Sequence, residues 1–276
     1  MADLNGTPVS SLQYRDGLLM QTTRQVPEEV PIAFSYRGST HAVMMATPDN
    51  LEDFAVGFSL TEGIIEKAGD IVSIEPIEAG DGIDVQITLV EETADALTAR
   101  RRRMAGPVGC GLCGIESIEQ ATRQVKSVAD TKLSLSLEAI SEAIHLLSEG
   151  QILNRQTHAV HGAAFYLPGS PGALLALRED VGRHNALDKL TGAVLRAGKT
   201  GRDGVIVVTS RISVEMVQKA AALGSPILIA ISAPTALAIK TAEAAGMTLV
   251  AIARGRDFEV FTRPDRIATE GKKDVA

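Results

Sequence analysis

Three short apolar runs set the strongest limit on the fold: residues 205–209, 227–231 and 248–253, with Ala-rich stretches at 213–222 and 235–245 between them. The runs have strand length and β-type composition, whereas the stretches between them are helical in composition. Strand, helix, strand, helix, strand at this spacing implies strands that lie parallel, joined by right-handed crossovers. The fold class is therefore α/β (α+β over the whole chain), with a largely parallel sheet in the C-terminal half. Tryptophan is absent and aromatic residues make up 3% of the chain, so the core is aliphatic.

The N-terminal half has a different pattern. The first fifteen residues are polar and read as loose. Residues 30–36 and 41–47 alternate around Arg37-Gly38-Ser39-Thr40 and predict a hairpin. Thr47-Pro48-Asp49-Asn50 predicts a helix start, with Asp49 or Asn50 able to cap. Leu51, Phe54, Ala55 and Phe58 follow at helical spacing, and Gly63 is a suitable stop. Strands are expected at 71–74 and 85–89 across Asp81-Gly82, and helices at 92–103, 115–128 and 137–147, the last capped by Ser136. The polar interval 129–134 divides the chain into a smaller mixed β/α domain, 1–130, and an α/β domain, 131–276.

The formal net charge of −7 argues against nucleic acid as the main partner. Arg100 to Arg103 form one basic run, read either as a solvated helix end or as a local anion or partner contact. No stretch approaches the ~20 apolar residues of a membrane span, and residues 1–10 lack the pattern of a signal peptide. Two cysteines three positions apart make no disulfide framework and fit a reducing cytoplasm.

Those cysteines lie in Gly109-Cys110-Gly111-Leu112-Cys113-Gly114. Thiolate is the nucleophile, and three glycines remove steric cover and let the backbone bend. A helix starting near Ile115 would favour an anionic sulfur at its N-terminus. A closed zinc site needs four ligands and no second cysteine pair exists, so no metal is expected. A dithiol oxidoreductase pair and two idle buried cysteines are the competing readings.

Two further clusters carry chemistry. Residues 179–190 pack Glu179, Asp180, Arg183, His184, Asn185, Asp188 and Lys189 around Gly182 at a predicted helix start. Ala186, Leu187 and Leu190 make the inward face, and His161 could meet His184 in space. Polar clusters also follow all three predicted parallel strands: Thr209-Ser210-Arg211-Ile212-Ser213, Ser232-Ala233-Pro234-Thr235 and Arg254-Gly255-Arg256-Asp257. Open parallel sheets bind ligands beyond the carboxyl ends of their strands, where helix N-termini and arginines suit phosphate.

These motifs together resemble the formate dehydrogenase accessory sulfurtransferases, from about Pro31 to Ile267. The resemblance rests on Thr47-Pro48-Asp49, Val56-Gly57-Phe58, Thr61-Glu62-Gly63, the cysteine motif, Glu179 through Lys189, Arg211-Ile212-Ser213-Val214-Glu215, Ser232-Ala233-Pro234-Thr235 and Thr248-Leu249-Val250. It implies a cytidine-deaminase-like, three-layer C-terminal domain, a homodimer, and a sulfur carrier. Sulfur would come from a cysteine desulfurase as a persulfide on Cys110, with Cys113 assisting. It would go to the molybdenum (or tungsten) bis-guanine-dinucleotide cofactor, bound as cargo, for formate dehydrogenase. The family's cofactor-contacting stretch maps to Ile252, Ala253, Arg254, Gly255, Arg256 and Asp257, with Arg211 and Ser232 at the neighbouring strand ends. The chain departs from the family at His158-Ala159, where Gly-Gly is usual, and at Val108, where Ser is usual. A dithiol oxidoreductase and a non-catalytic molybdenum cofactor chaperone are the alternative functions.

Overall fold

A computed structural model of the chain describes residues 6–104, 125–169 and 171–268. It begins with a two-stranded ribbon, β1 (Gly6–Arg15) and β2 (Leu18–Pro27), where the sequence reads as loose. Asp16 and Gly17 both take positive φ, 53° and 82°, the geometry of a two-residue hairpin turn. That Asp-Gly signal outweighs the polar composition of the first strand.

A four-stranded sheet follows, ordered β4-β3-β6-β5, from β3 (Val30–Tyr36), β4 (Ser39–Ala46), β5 (Ile71–Ala79) and β6 (Gly82–Leu89). The expected hairpin forms at Arg37 and Gly38, both at positive φ. Helix α1 (Leu51–Thr61) lies between β4 and β5 in the chain, and α2 (Glu91–Met104) follows β6. Neither Asp49 nor Asn50 caps α1 with its side chain. Asn50 instead sits in the left-handed region, and the Asp49 carboxylate is drawn to Lys189 Nζ at 2.5 Å.

Of the predicted helix over 115–128, residues 115–124 lie outside the described residues, and 125–128 are not helical. Val128 is instead strapped to the C-terminal half, its N–H donating to Ala245 O at 2.9 Å. After β7 (Leu135–Ser136) comes α3 (Leu137–Gly150), whose Ser136 cap accepts from the Ala139 N–H as expected. A short helix, α4 (Ile152–Thr157), leads into the larger sheet.

That sheet has the order β13-β12-β11-β10-β8-β9. Its strands are β8 (His161–Leu167), β9 (Ala173–Asp180), β10 (Val205–Val208), β11 (Ile227–Ala230), β12 (Thr248–Arg254) and β13 (Asp257–Thr262). β10, β11 and β12 run parallel, as the strand–helix rhythm requires. The sheet as a whole is not largely parallel: the pairings β10–β8, β8–β9 and β12–β13 are antiparallel. Hairpins extend the parallel trio on both sides, and a hairpin reverses direction where a crossover helix would not. The crossovers between the parallel strands are α6 (Val214–Leu223) and α7 (Ala236–Ala245), preceded by α5 (Arg183–Arg196) after β9. A last short strand, β14 (Ile267–Ala268), pairs with β7.

Alternate side chains of the parallel strands enter two separate cores. Val205, Val207, Ile227, Ile229 and Val250 join Ile140, Ile144 and Leu147 of α3. Ile206, Val208, Leu228 and Leu249 join α5, α6 and α7 in a cluster that continues through Phe54 of α1 to Ile32 and Phe34 of the smaller sheet. Each such side chain, fully buried, contributes roughly 1.5–3 kcal/mol.

The two sheets are joined where α1 crosses α5, with backbone against backbone. A methyl group on Gly57 would lie 1.7 Å from Asp188 O, and one on Gly192 would lie 1.9 Å from Asp53 O. Ion pairs flank the crossing: Asp53 accepts from Arg178 and Arg196, both at 2.6 Å, and Lys189 binds Asp180 at 2.8 Å. Overpacking typically costs ~1–3 kcal/mol, and here the clash is with backbone that cannot swing aside. Gly57→Ala is expected to lose about 3 kcal/mol, read as a lowered urea midpoint at unchanged slope; an unchanged midpoint would refute this account of the crossing.

Candidate functional site

The carboxyl ends of β10, β11 and β12 meet at one edge of the larger sheet, as do the start of β8 and the end of β9. Backbone hydrogen bonds stitch this edge together. Ile212 N–H donates to Ala233 O at 3.2 Å, Thr235 N–H to Ile212 O at 2.9 Å, and Ile252 N–H to Ser232 O at 3.2 Å. Thr209 ties on β8 by donating to Gly162 O and accepting from Gly162 N–H. The three polar clusters expected from the sequence therefore form one continuous rim.

Residues 252–257 lie at the end of this rim, where β12 turns into β13. Ile252 has φ 54°, inside an irregularity of the β12–β13 pairing. A β-branched residue in the left-handed region is strained by about 1–3 kcal/mol and is held there by its surroundings. Ala253 is buried, while Arg254, Gly255, Arg256 and Asp257 are exposed. Ser232 is half-buried beside them, and Arg211 is exposed on the neighbouring segment. None of Arg211, Arg254 and Arg256 forms a salt bridge with a described residue. Arg256 also lies within the field of Glu138, and three guanidinium groups spaced along one rim make it receptive to anions.

At the other end of the rim, Glu179 to Lys189 are arranged by buried polar contacts. Asp180 is fully buried and accepts from Thr47 N–H, Gly182 N–H and the Asn185 amide at 3.1, 2.7 and 3.0 Å, besides pairing with Lys189. Glu179 accepts from the Leu153 and Asn154 N–H groups at the start of α4. Asp180 and Glu179 are thus occupied in bracing the fold. Ala186, Leu187 and Leu190 are buried, as the helical spacing predicts.

His161 and His184 are near neighbours at this corner, each within the field of Arg183. Burial, then the charges of Arg183 and Lys219, pushes His184 down to about 4, against a pull from Glu215. Burial and Arg183 also lower His161, with Asp180 opposing. Both rings are therefore neutral near pH 7.

A second buried chain of contacts, not legible in the sequence, lies beneath this corner. Lys219 Nζ donates to both Asp188 oxygens, at 2.9 and 2.8 Å, and to Thr61 Oγ1 at 2.9 Å. Burial pushes the Asp188 carboxyl above the usual aspartate range, against the pull of Lys219 and Thr61. The one signal was a lysine on the inward side of the Ala-rich helix α6. Cys110 and Cys113 lie outside the described residues. Among the described residues no group of three or more His, Cys, Asp or Glu could hold a metal ion, and no helix is long and apolar enough to cross a membrane.

A model of the FdhD/NarQ family matches residues 27–268. The chain belongs to this family. It is 62% identical over 259 residues to the sulfur carrier protein FdhD of Agrobacterium fabrum, covering 94% of this chain and 95% of the relative. Against the sulfur carrier protein FdhD of Brucella abortus the identity is 53%, covering 94% and 96%. A crystal structure assigned as a formate dehydrogenase accessory protein, from Desulfotalea psychrophila, superposes with a TM-score of 0.76 at 26% identity, covering 95% and 99%. The family resemblance read from the motifs is thereby established. The FdhD/NarQ segments that carried it converge in space: Thr47 and Asp49 bind Lys189, and Thr61 binds Asp188.

The depressed histidines make a pH signature. The unfolded chain takes up protons near the ordinary histidine pKa of 6.5, whereas folded His184 resists until about 4. Stability is therefore expected to fall as pH drops from about 6.5 toward 4. In a nitrogen-15 titration the His184 ring should stay neutral at pH 5.5, and a midpoint near 6.5 would contradict the buried environment described.

Proposed function

We propose that the chain is a sulfur carrier that serves the maturation of formate dehydrogenase. Support comes from membership of the FdhD/NarQ family, from relatives named as sulfur carriers, and from a structural neighbour assigned as a formate dehydrogenase accessory protein. The observation that carries the reading is a glycine-flanked Cys-x-x-Cys in a family member whose sheet also presents an anion-receptive rim.

In the chemistry proposed, Cys110 thiolate attacks the outer sulfur of a persulfide on a cysteine desulfurase. A new sulfur–sulfur bond forms, the donor's bond breaks, and the donor leaves as thiolate. Cys110 then carries the sulfane sulfur to the molybdenum bis-guanine-dinucleotide cofactor, held as cargo at the rim. Arg254 and Arg256 bind its anionic groups, helped by Arg211, Ser232 and the backbone of residues 252–257, and Cys113 assists Cys110. The chain acts in the cytoplasm as a homodimer.

The cytidine-deaminase-like description of residues 131–276 belongs to the same proposal. It is supported by the order β9-β8-β10-β11-β12, with β8 antiparallel to β10 and helices on both faces of the sheet.

Incubation with a cysteine desulfurase and cysteine should add about 32 Da to the peptide bearing Cys110, seen by mass spectrometry. Cys110→Ala should abolish both this addition and formate dehydrogenase activation while leaving the fold intact. Full activation by that variant would reject the carrier role. Equal loss in Cys110→Ser and Cys113→Ser, with a reversible disulfide between the two cysteines in the parent, would favour a dithiol oxidoreductase.

A further inference from the structure

The residues of the β9–α5 corner divide into two kinds. Asp180, Asn185 and Lys189 have several partners each, yet Arg183 Nε and His184 Nε2, in the same segment, are buried without a hydrogen-bond partner among the described residues. A buried polar atom left unmet costs roughly 1–3 kcal/mol. In a segment whose other polar groups are so fully satisfied, such atoms point to a partner beyond the described residues.

The helix starts of the larger sheet show the same contrast. α3 and α7 are capped by the side chains of Ser136 and Thr235. α5, with 14 residues, begins at the rim on Gly182 with no side-chain cap hydrogen bond. Its first-turn amides and partial positive charge therefore face the corner, whereas the Glu215 carboxylate serves the first turn of α6. Arg183 Nε can only donate, and a neutral imidazole donates through one nitrogen. The nearby ions are largely committed: Asp180 to Lys189, and Lys219 to Asp188. Glu215 remains as the opposing carboxylate, held below its ordinary range against burial by local hydrogen bonds and by His184 and Arg183.

We infer that Arg183 and His184, with the uncapped start of α5, form an oxyanion subsite that takes a phosphate group of the ligand. This deepens the cargo reading and rests on it for the identity of the ligand. The subsite is separate from the 252–257 turn: β9, which leads into α5, stands four places from β12 in the sheet order. Two anion-receptive corners at that separation fit an elongated ligand with phosphates well apart better than a single mononucleotide. Neutral His184 contributes an N–H without a charge that pH could remove.

The probe is inorganic pyrophosphate, titrated into the full chain by calorimetry at fixed ionic strength, with guanosine monophosphate and guanosine as separate arms. Pyrophosphate should bind and shift the His184 ring resonances. Guanosine monophosphate should compete with it, while guanosine, lacking phosphate, should not. Arg183→Gln and His184→Gln should each weaken pyrophosphate roughly tenfold or more, the loss of a charge-assisted or buried hydrogen bond. Arg183→Lys should recover only part of the loss. Absence of pyrophosphate binding, unmoved His184 resonances in the parent chain, or parent-like affinity in both Gln variants would each overturn the subsite. Sulfur loading of Cys110 in the parent, measured on the same preparation, reports on the carrier reading separately.

Discussion

The structure depends on one close approach, the crossing of α1 over α5 at Gly57 and Gly192. Without side chains at those positions, the backbones meet and the polar groups on either side come within reach of one another. Thr47 and Asp49 can then close on Lys189, Asp53 on Arg178 and Arg196, and Thr61 on Asp188. A buried lysine or aspartate is costly alone and tolerable only when paired at good geometry. The crossing supplies that geometry, so it decides both how the two sheets sit and which carboxylates remain available at the rim.

The rim itself is a division of labour between buried and exposed charge. Asp180 and Asp188 face inward and are consumed by lysines, so neither carboxylate competes for the arginines of the strand ends. A chain of net charge −7 thus presents positive groups in one place by burying negative ones beneath them. The lowered histidines belong to the same arrangement, since burial first, and then the field of Arg183, resists a proton.

Much of this was legible in the sequence where periodicity is strong. The parallel trio, α6, α7, the Arg37-Gly38 hairpin and the Ser136 cap all follow from local pattern. The antiparallel strands on either side of the trio were harder to see. Residues 254–257 read as a polar loop after a strand, and nothing local says that the chain doubles back there. The first ribbon was missed because its strands are too polar to signal burial, although Asp16-Gly17 marks the turn. At the site, polar clusters at strand ends were visible because topology alone brings them together. The Lys219–Asp188–Thr61 contacts were not, because they join three distant segments and each residue is ordinary in its own surroundings. Asp49 shows the reverse case, a residue with a plausible local role that a distant lysine claims instead.

The glycine crossing also bears on how such a chain can vary through descent. Neither helix can accept even a methyl group at the contact unless the other retreats, so the two positions must be inherited as a matched set. Recombination that brought residues 125–268 beside an unrelated first half would deliver one member of the set without the other. Substitutions in the first ribbon leave this contact untouched, whereas a side chain at Gly57 or Gly192 meets backbone at once.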